Sequence, residues 1–340
     1  LSLNFGCVFL INLILMNFLK VYEQAFESAL EDFNQEKPPQ NLYKPIEYLL
    51  DLGGKRIRPF MTLMAAEAYG VSFKKAIGAA MAVEVFHNFT LMHDDIMDKA
   101  TLRRGKTTVY KKWDVNTAIL SGDAMLIKAY QCLEKYPIDI FQKLTCLLSK
   151  TAIEVCEGQQ YDIDFETRPD TSEEEYIEMI RLKTAVLVGC ALKMGAIIGK
   201  ASEEDQKAIY DFGIQLGLAF QLQDDYLDTF GDPETFGKKI GGDILKDKKT
   251  ILYHLAIKTG EEDERHLLQF LLGGNETIDD DEKINKVKSL FESTSAQSAT
   301  RDFIEHHSDL ADIELEKLTI NEDQKNHFRD LKSWLINRTY

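Results

Sequence analysis

An all-α helical bundle is the fold class that this 340-residue sequence predicts, and three observations carry the expectation. Apolar residues recur at spacings of three and four along most of the chain, which is the signature of helices with one buried face. Alternating strand patterns are nearly absent. Several of the helical runs are apolar on most faces, as helices in the interior of a bundle are.

The elements follow in order. Leu1 to Leu19 carries no charged residue but is only marginally long enough to span a bilayer, is interrupted by Asn4, Asn12 and Asn17, and lacks the basic region of a signal peptide. Residues 1–15 are therefore expected to be an apolar extension upstream of Met16, without stable membrane insertion, and residues 16–340 a single domain. Helical periodicity then covers Tyr43 to Leu52, Phe60 to Asp98, Asn116 to Tyr136, Phe141 to Phe165, Tyr176 to Gly199, Glu203 to Phe230 and Thr250 to Thr259. Between these runs lie "NQEKPPQN", "ETRPDTSEEE" with Thr171 and Glu174 spaced as a capping box, "GDPETFGKKIGG" and "GGNETIDDD". None has the composition of a flexible interdomain linker.

Charge narrows the function classes. Fifty-six acidic residues against 40 basic ones give a net charge of −16, so no overall positive field exists to hold nucleic acid. Any anionic ligand must be met locally. The five cysteines, Cys7, Cys132, Cys146, Cys156 and Cys190, are far apart and mostly inside apolar patterns, which predicts buried thiols in a reducing cytoplasm.

The chemistry is concentrated in two acidic stretches. In "LMHDDIMDKATLRRG", Asp94 and Asp98 stand four apart on one face of an apolar helix with Asp95 beside them. In "QLQDDYLDTFGD", Asp224, Asp225 and Asp228 repeat the pattern about 130 residues later. Adjacent carboxylates repel, and burying them without a counter-charge is costly. One such cluster reads as a solvated helix end, whereas two suggest an oxygen-rich site for Mg²⁺, which keeps waters and bridges to phosphates. Cations stand nearby: Lys55, Arg56 and Arg58 in "LGGKRIRP", Arg103 and Arg104 after the first cluster, then Lys183 with Thr184, Lys238, Lys239 and Lys248. Beside glycines and helix ends, they form what a diphosphate site requires.

Together "GGKRIRP", "HDDIMDKATLRRG", "KTAVL" and "FQLQDDYLDTFGD...FGKKIGGD" resemble the trans-isoprenyl diphosphate synthases, the polyprenyl synthetase family, from about Tyr43 to Tyr253. The resemblance implies an isoprenoid-synthase helical bundle around a central active-site cavity, usually a homodimer, with two aspartate motifs facing each other. It implies Asp94, Asp98 and Asp224 as ligands of three Mg²⁺ ions, with Mn²⁺ as a substitute, among the catalytic aspartates Asp94, Asp95, Asp98, Asp224, Asp225 and Asp228. Arg103, Lys183, Lys238 and Lys248 are implied as partners of an allylic diphosphate, with Lys239 competing for the role of Lys238. Lys55, Arg58, His87 and Arg104 are implied as binders of isopentenyl diphosphate, with Phe220 nearby. Thr184 and Gln221 are implied to turn their oxygens toward the developing allylic cation. A basic C-terminal tail found in some members is represented by Arg338 alone.

The reaction so implied is Mg-dependent condensation of isopentenyl diphosphate with dimethylallyl, geranyl or farnesyl diphosphate. Released pyrophosphate takes the proton, so His87 is a phosphate contact or a core histidine rather than a general base. Phe89 lies five residues before Asp94, ~7.5 Å down a helix rising ~1.5 Å per residue, where it narrows the elongation cavity; Thr90 is small and leaves room. Within the family that pattern resembles geranylgeranyl synthases, with farnesyl synthases as the alternative. A class I terpene cyclase is a further reading, countered by the second motif being DDYLD. A regulatory synthase subunit is another, countered by all six aspartates being present.

Overall fold

The computed structural model describes residues 20–34, 37–168, 170–232, 240–274 and 278–336. Residues 1–15 with Cys7, and Met16, Lys238, Lys239 and Arg338, lie outside the described residues. The described residues are almost wholly helical, as the periodicity predicts. They group into two compact units, one of residues up to 149 with 190–207, the other of 150–189 with 208–340. No described helix is long and apolar enough to cross a membrane.

The first unit contains α1 (residues 20–33), α2 (Gln40–Asp51), α3 (Ile57–Ala68), α4 (Ile77–Met97), α5 (Val109–Lys112) and α6 (Val115–Gln131). It also contains the start of α7 (Ile138–Thr167), the end of α9 (Val186–Ile198) and the start of α10 (Glu203–Phe230). α4 is its central helix, packed against α2, α3 and α6. Small residues let these helices approach: Ala118, Ser121, Gly122 and Ala129, with Met125 among them, form the buried stripe of α6. A Cβ on Gly122 would fall 2.2 Å from His93 Nε2 of α4.

The second unit contains most of α7, then α8 (Glu173–Ile180), a π-helical turn (Arg181–Ala185), the start of α9 and most of α10. α11 (Gly242–Leu245), α12 (Ile251–Thr259), α13 (Glu262–Leu271), α14 (Asp280–Ser293), α15 (Ala296–Glu316) and α16 (Glu322–Ile336) complete it. α12 packs against α8 and α15, and α15 against α14 and α16.

Several sequence expectations need correction. The run from Phe60 to Asp98 is two helices, because Gly70 takes φ +76° and closes α3 with a Schellman pair, Val71 N–H to the Ala66 carbonyl (3.2 Å) and Gly70 N–H to the Glu67 carbonyl (2.9 Å). The run from Tyr176 to Gly199 is interrupted by the π-helical turn. The capping box stands one residue later than expected, on Ser172 and Glu175. A hairpin of Leu102–Arg103 and Lys106–Thr107 was missed, its turn made by Arg104 and Gly105 at φ +52° and +73°. The described cysteines are thiols, but only Cys190 is buried; Cys146 and Cys156 are exposed, on faces of α7 that nothing in their own unit covers.

The closest glycine approach to another helix's backbone in the first unit is at Gly195 of α9, where a Cβ would lie 2.3 Å from the Thr62 carbonyl oxygen of α3. Helix propensity alone would favour alanine by about 1 kcal/mol. Overpacking costs about 1–3 kcal/mol, and backbone cannot give way as a flexible side chain can. Gly195→Ala is therefore expected to destabilise the protein by up to about 2 kcal/mol net, read as a lower urea midpoint; an unchanged midpoint would show that the two helices separate freely.

Candidate active site

In the first unit, the three aspartates of the first motif sit in the last turn of α4, with Asp98 as its C-cap donating its N–H to the Asp94 carbonyl (2.8 Å). This end of a helix is the negative end of its dipole, so carboxylates there are unfavourable until a cation meets them. Asp95 points inward and is 1% exposed. Its Oδ1 accepts from Arg103 Nε (2.9 Å) and Nη2 (2.7 Å), while Oδ2 is buried without a hydrogen-bond partner. Burial pushes the Asp95 carboxyl up, with Arg103 opposing and Asp98 adding. Asp94 is half-buried and Asp98 exposed.

The hairpin explains how the two arginines that follow are placed. Arg103 is carried by its first strand onto Asp95, while Arg104, in the turn, lies against Gly54, where a Cβ would come 2.8 Å from its Cζ. Gly54 itself has φ +136°, in a loop that also holds Gly53 at φ +75° and Arg56 at φ +47°. Arg56 turns inward, donating to Glu84 and to the Leu50 carbonyl (2.5 Å), which makes it a structural anchor. Arg58 donates to His87 Nε2 at 3.3 Å. Arginine has no acceptor, so His87 Nε2 must be the acceptor and Nδ1 carries the ring proton. Burial, then Arg58, Arg104, Arg103 and Arg56, hold His87 well below the usual histidine range, so it is neutral near pH 7. Arg58 Nε is buried without a partner. Lys55 is exposed at the loop.

In the second unit a cavity of about 180 Å³ is lined by residues that include Lys183, Thr184, Gln221, Asp224, Asp225 and Lys248. Lys183 and Thr184 stand on the π-helical turn, a distortion found often at functional sites. α7 passes close to that turn: a Cβ on Gly158 would lie 2.4 Å from the Lys183 backbone nitrogen. Asp162, one turn further along α7, receives Lys183 Nζ at 2.5 Å and Lys248 Nζ at 3.7 Å. Burial pushes the Asp162 carboxyl up, but Lys248 and Lys183 together hold it below the usual range.

The second aspartate motif occupies the last turns of α10, again the negative end of a helix. Asp225 is 4% exposed and accepts from the Tyr176 hydroxyl and from Gln221 Nε2 (3.0 Å). Burial, then Asp243, pushes its carboxyl well above the usual range. Gln221 Oε1 accepts from the Thr184 hydroxyl at 3.1 Å. Asp228 braces the chain that follows: its Oδ2 accepts the Asp243 N–H (2.9 Å) and its carbonyl the Gly241 N–H (2.7 Å). Asp224 is half-buried on the cavity wall, and Phe220 is half-buried one turn earlier.

The first unit thus gathers Arg58, His87, Asp95, Arg103 and Arg104, and the second gathers Lys183, Thr184, Gln221, Asp224, Asp225 and Lys248. Asp162, Tyr176 and Asp243 were missed by sequence reasoning; each is a single polar residue in a helix or after a glycine pair, without a doubled motif to mark it. Among the described residues, no three His, Cys, Asp or Glu side chains are gathered closely enough to hold a metal ion by themselves.

Residues 39–292, more than half of the chain, match the family model described as Polyprenyl synthetase. The chain belongs to this family. This polyprenyl synthetase is 42% identical over 248 residues to a geranylgeranyl diphosphate synthase of Methanosarcina mazei, covering 72% of the chain and 76% of the relative. It is 36% identical over 327 residues to a geranylgeranyl pyrophosphate synthase of Geoglobus acetivorans, covering 95% of the chain and 98% of the relative. A crystal structure of a geranylgeranyl pyrophosphate synthase superposes with a TM-score of 0.91 at 53% identity, covering 94% of this chain and 98% of that one. The all-α class expected from the sequence is the class of these structural neighbours.

Proposed function

We propose that this polyprenyl synthetase condenses isopentenyl diphosphate with an allylic diphosphate, chiefly to the twenty-carbon geranylgeranyl diphosphate. The observation that carries the reading is the presence, within each unit, of cations beside a carboxylate cluster at a helix C-terminus, Arg103 on Asp95 in the first and Lys183 and Lys248 lining one cavity with Asp224 and Asp225 in the second, in a chain similar over nearly its full length to geranylgeranyl synthases. A terpene cyclase is disfavoured by these relatives, and a regulatory subunit by the retention of all six aspartates.

The donor set fits Mg²⁺. Each unit offers carboxylate oxygens, Asp94 and Asp98 at the end of α4 in the first and Asp224 on α10 in the second, and no closed protein cage exists among the described residues. That suits an ion that keeps waters and is held by one or two carboxylates plus substrate phosphates. Three ions are expected, with Mn²⁺ able to substitute. Bound there, Mg²⁺ neutralises the charge that builds on the diphosphate leaving group.

The chain's own residues then act as follows. Lys183 and Lys248 bind the allylic diphosphate, with Arg103 held ready by Asp95. Lys55, Arg58 and Arg104 bind isopentenyl diphosphate, and neutral His87 orients the Arg58 guanidinium, whose unpartnered Nε suits a phosphate oxygen. As the allylic carbon–oxygen bond breaks, Thr184 and Gln221 present oxygens to the cation. The double bond of isopentenyl diphosphate attacks, a carbon–carbon bond forms, and the proton lost goes to the departing pyrophosphate. Asp94→Ala or Asp224→Ala should each lower turnover by about 10²–10³-fold or more, as should chelation of Mg²⁺, while circular dichroism stays unchanged. Near-normal rates in either variant at saturating Mg²⁺ would sink the metal assignment.

A homodimer is supported by α6, which buries its small-residue face but exposes Val115, Ile119, Leu120 and Ile127. Leu120→Glu with Ile127→Glu should convert the protein to monomers in light scattering; an unchanged mass would remove α6 from the interface.

Product length rests on Phe89 and Thr90. The Phe89 ring lies 5.6 Å from Phe86 and 4.9 Å from His93, and Thr90 ties its hydroxyl back to the His87 carbonyl (2.8 Å). Phe89→Ala should lengthen the product and Thr90→Phe should shorten it toward fifteen carbons, read by chromatography of dephosphorylated products. An active Phe89→Ala variant with an unchanged distribution would show that Phe89 does not set the length.

A further inference from the structure

The cavity of the second unit holds a run of hydrogen bonds that starts on a residue the chemistry above leaves unused. Tyr176 of α8, 4% exposed, donates its hydroxyl to Asp225 Oδ2. Asp225 Oδ1 accepts from Gln221 Nε2 at 3.0 Å, one turn earlier on α10. Gln221 Oε1 accepts from the Thr184 hydroxyl at 3.1 Å, on the π-helical turn. Three elements are thereby tied together by side chains that all line one cavity of about 180 Å³.

The direction of this chain is fixed at its buried end. Asp225 Oδ1 accepts from Gln221 Nε2 whether the carboxyl is ionised or holds a proton on Oδ2, beside the Tyr176 hydroxyl, so the amide oxygen of Gln221 is turned toward Thr184. Thr184 spends its only proton on that oxygen. What remains on the two oxygens, Thr184 Oγ1 and Gln221 Oε1, is lone pairs. Reversal of the amide would put two N–H groups in their place, a positive dipole end where a carbocation is to form. Tyr176 occupies the other carboxylate oxygen and so keeps Asp225 from rotating away.

We propose that Tyr176 and Asp225 are positioning residues, fixing the Gln221 amide so that the cavity presents oxygen lone pairs to the allylic cation. The inference rests on the reading above that Thr184 and Gln221 face that cation. It assigns Asp225 an orienting role distinct from metal binding by its neighbour Asp224, and it gives Tyr176 a part in the reaction through two intervening side chains.

Asp225→Asn keeps the shape but puts an amide beside the Gln221 amide, which can then be met at either of its ends, so the orientation of Gln221 is no longer fixed. The expected result is a fall in kcat of about 10–100-fold, the loss typical of a supporting hydrogen-bond partner. KM for both diphosphates and the Mg²⁺ concentration giving half-maximal rate should not move. Tyr176→Phe, which leaves the carboxylate in place but unbraced, should lose about tenfold in kcat on the same grounds. Asp225→Asn combined with Gln221→Glu keeps the net charge, restores an acceptor facing Thr184, and should recover most of the kcat.

A raised Mg²⁺ requirement in Asp225→Asn would make Asp225 a metal ligand and overturn the inference, as would a double variant no better than the single one. Should Asp225→Asn not fold, an unchanged kcat in Tyr176→Phe overturns it alone. Gln221→Met separates the two levels of the reading. If it retains full kcat, Gln221 does not serve the cation and the underlying assignment fails; if it loses kcat while Asp225→Asn does not, only the positioning role fails.

Discussion

Carboxylates at the negative ends of two helices are the constraint on which the rest of the structure depends. Three aspartates close α4 and three close α10, where the helix dipole and mutual repulsion both oppose them. Each cluster is stabilised differently by its own surroundings. In the first, Arg103 clamps Asp95 and leaves Asp94 and Asp98 toward solvent; in the second, Tyr176 and Gln221 hold Asp225, and Asp228 is occupied with the backbone of Gly241 and Asp243. In each motif the middle aspartate is the buried one and the first is half-buried.

Cation placement follows the same economy of partners. Arg56 is consumed by Glu84 and the Leu50 carbonyl, while Lys55 in the same loop is exposed and Arg58, in the first turn of α3, turns in to meet His87. Glycine is needed at Gly54 for a reason of space, since the Arg104 guanidinium occupies the volume that a side chain would fill. Burial, aided by the four arginines around it, suppresses the protonation of His87, so the imidazole serves as an acceptor for Arg58 rather than adding a fifth positive charge.

Much of this was legible in the sequence, and the part that was not has identifiable causes. The helical class and both aspartate motifs announce themselves by periodicity and repetition, signals that are local to one helix. The hairpin at Leu102 to Thr107 is too short to show a strand pattern, and its turn uses Arg104 where asparagine or aspartate is usual before glycine. The π-helical turn that carries Lys183 and Thr184 leaves the residue pattern almost unchanged, since it alters pitch rather than composition. Cys146 and Cys156 sit within apolar runs of α7, and periodicity could not show that their faces would be left open. Asp162 and Tyr176 matter only through partners 21 and 49 residues away, and no local reading supplies those distances.

Asp162 also bears on how a diphosphate could be received by a protein with so much negative charge. Two lysines converging on one cavity would repel each other and withdraw toward solvent if nothing held them. Asp162 gathers both at one carboxylate. A partly buried ion pair contributes little net stability, because desolvation offsets most of the attraction. Transferring Lys183 and Lys248 from one carboxylate to a more highly charged diphosphate therefore costs little, and the cations are already in place when the ligand arrives. Gly158, one turn before Asp162 on α7, makes that geometry attainable: only without a Cβ can the helix come close enough to the π-helical turn for the carboxylate to reach Lys183.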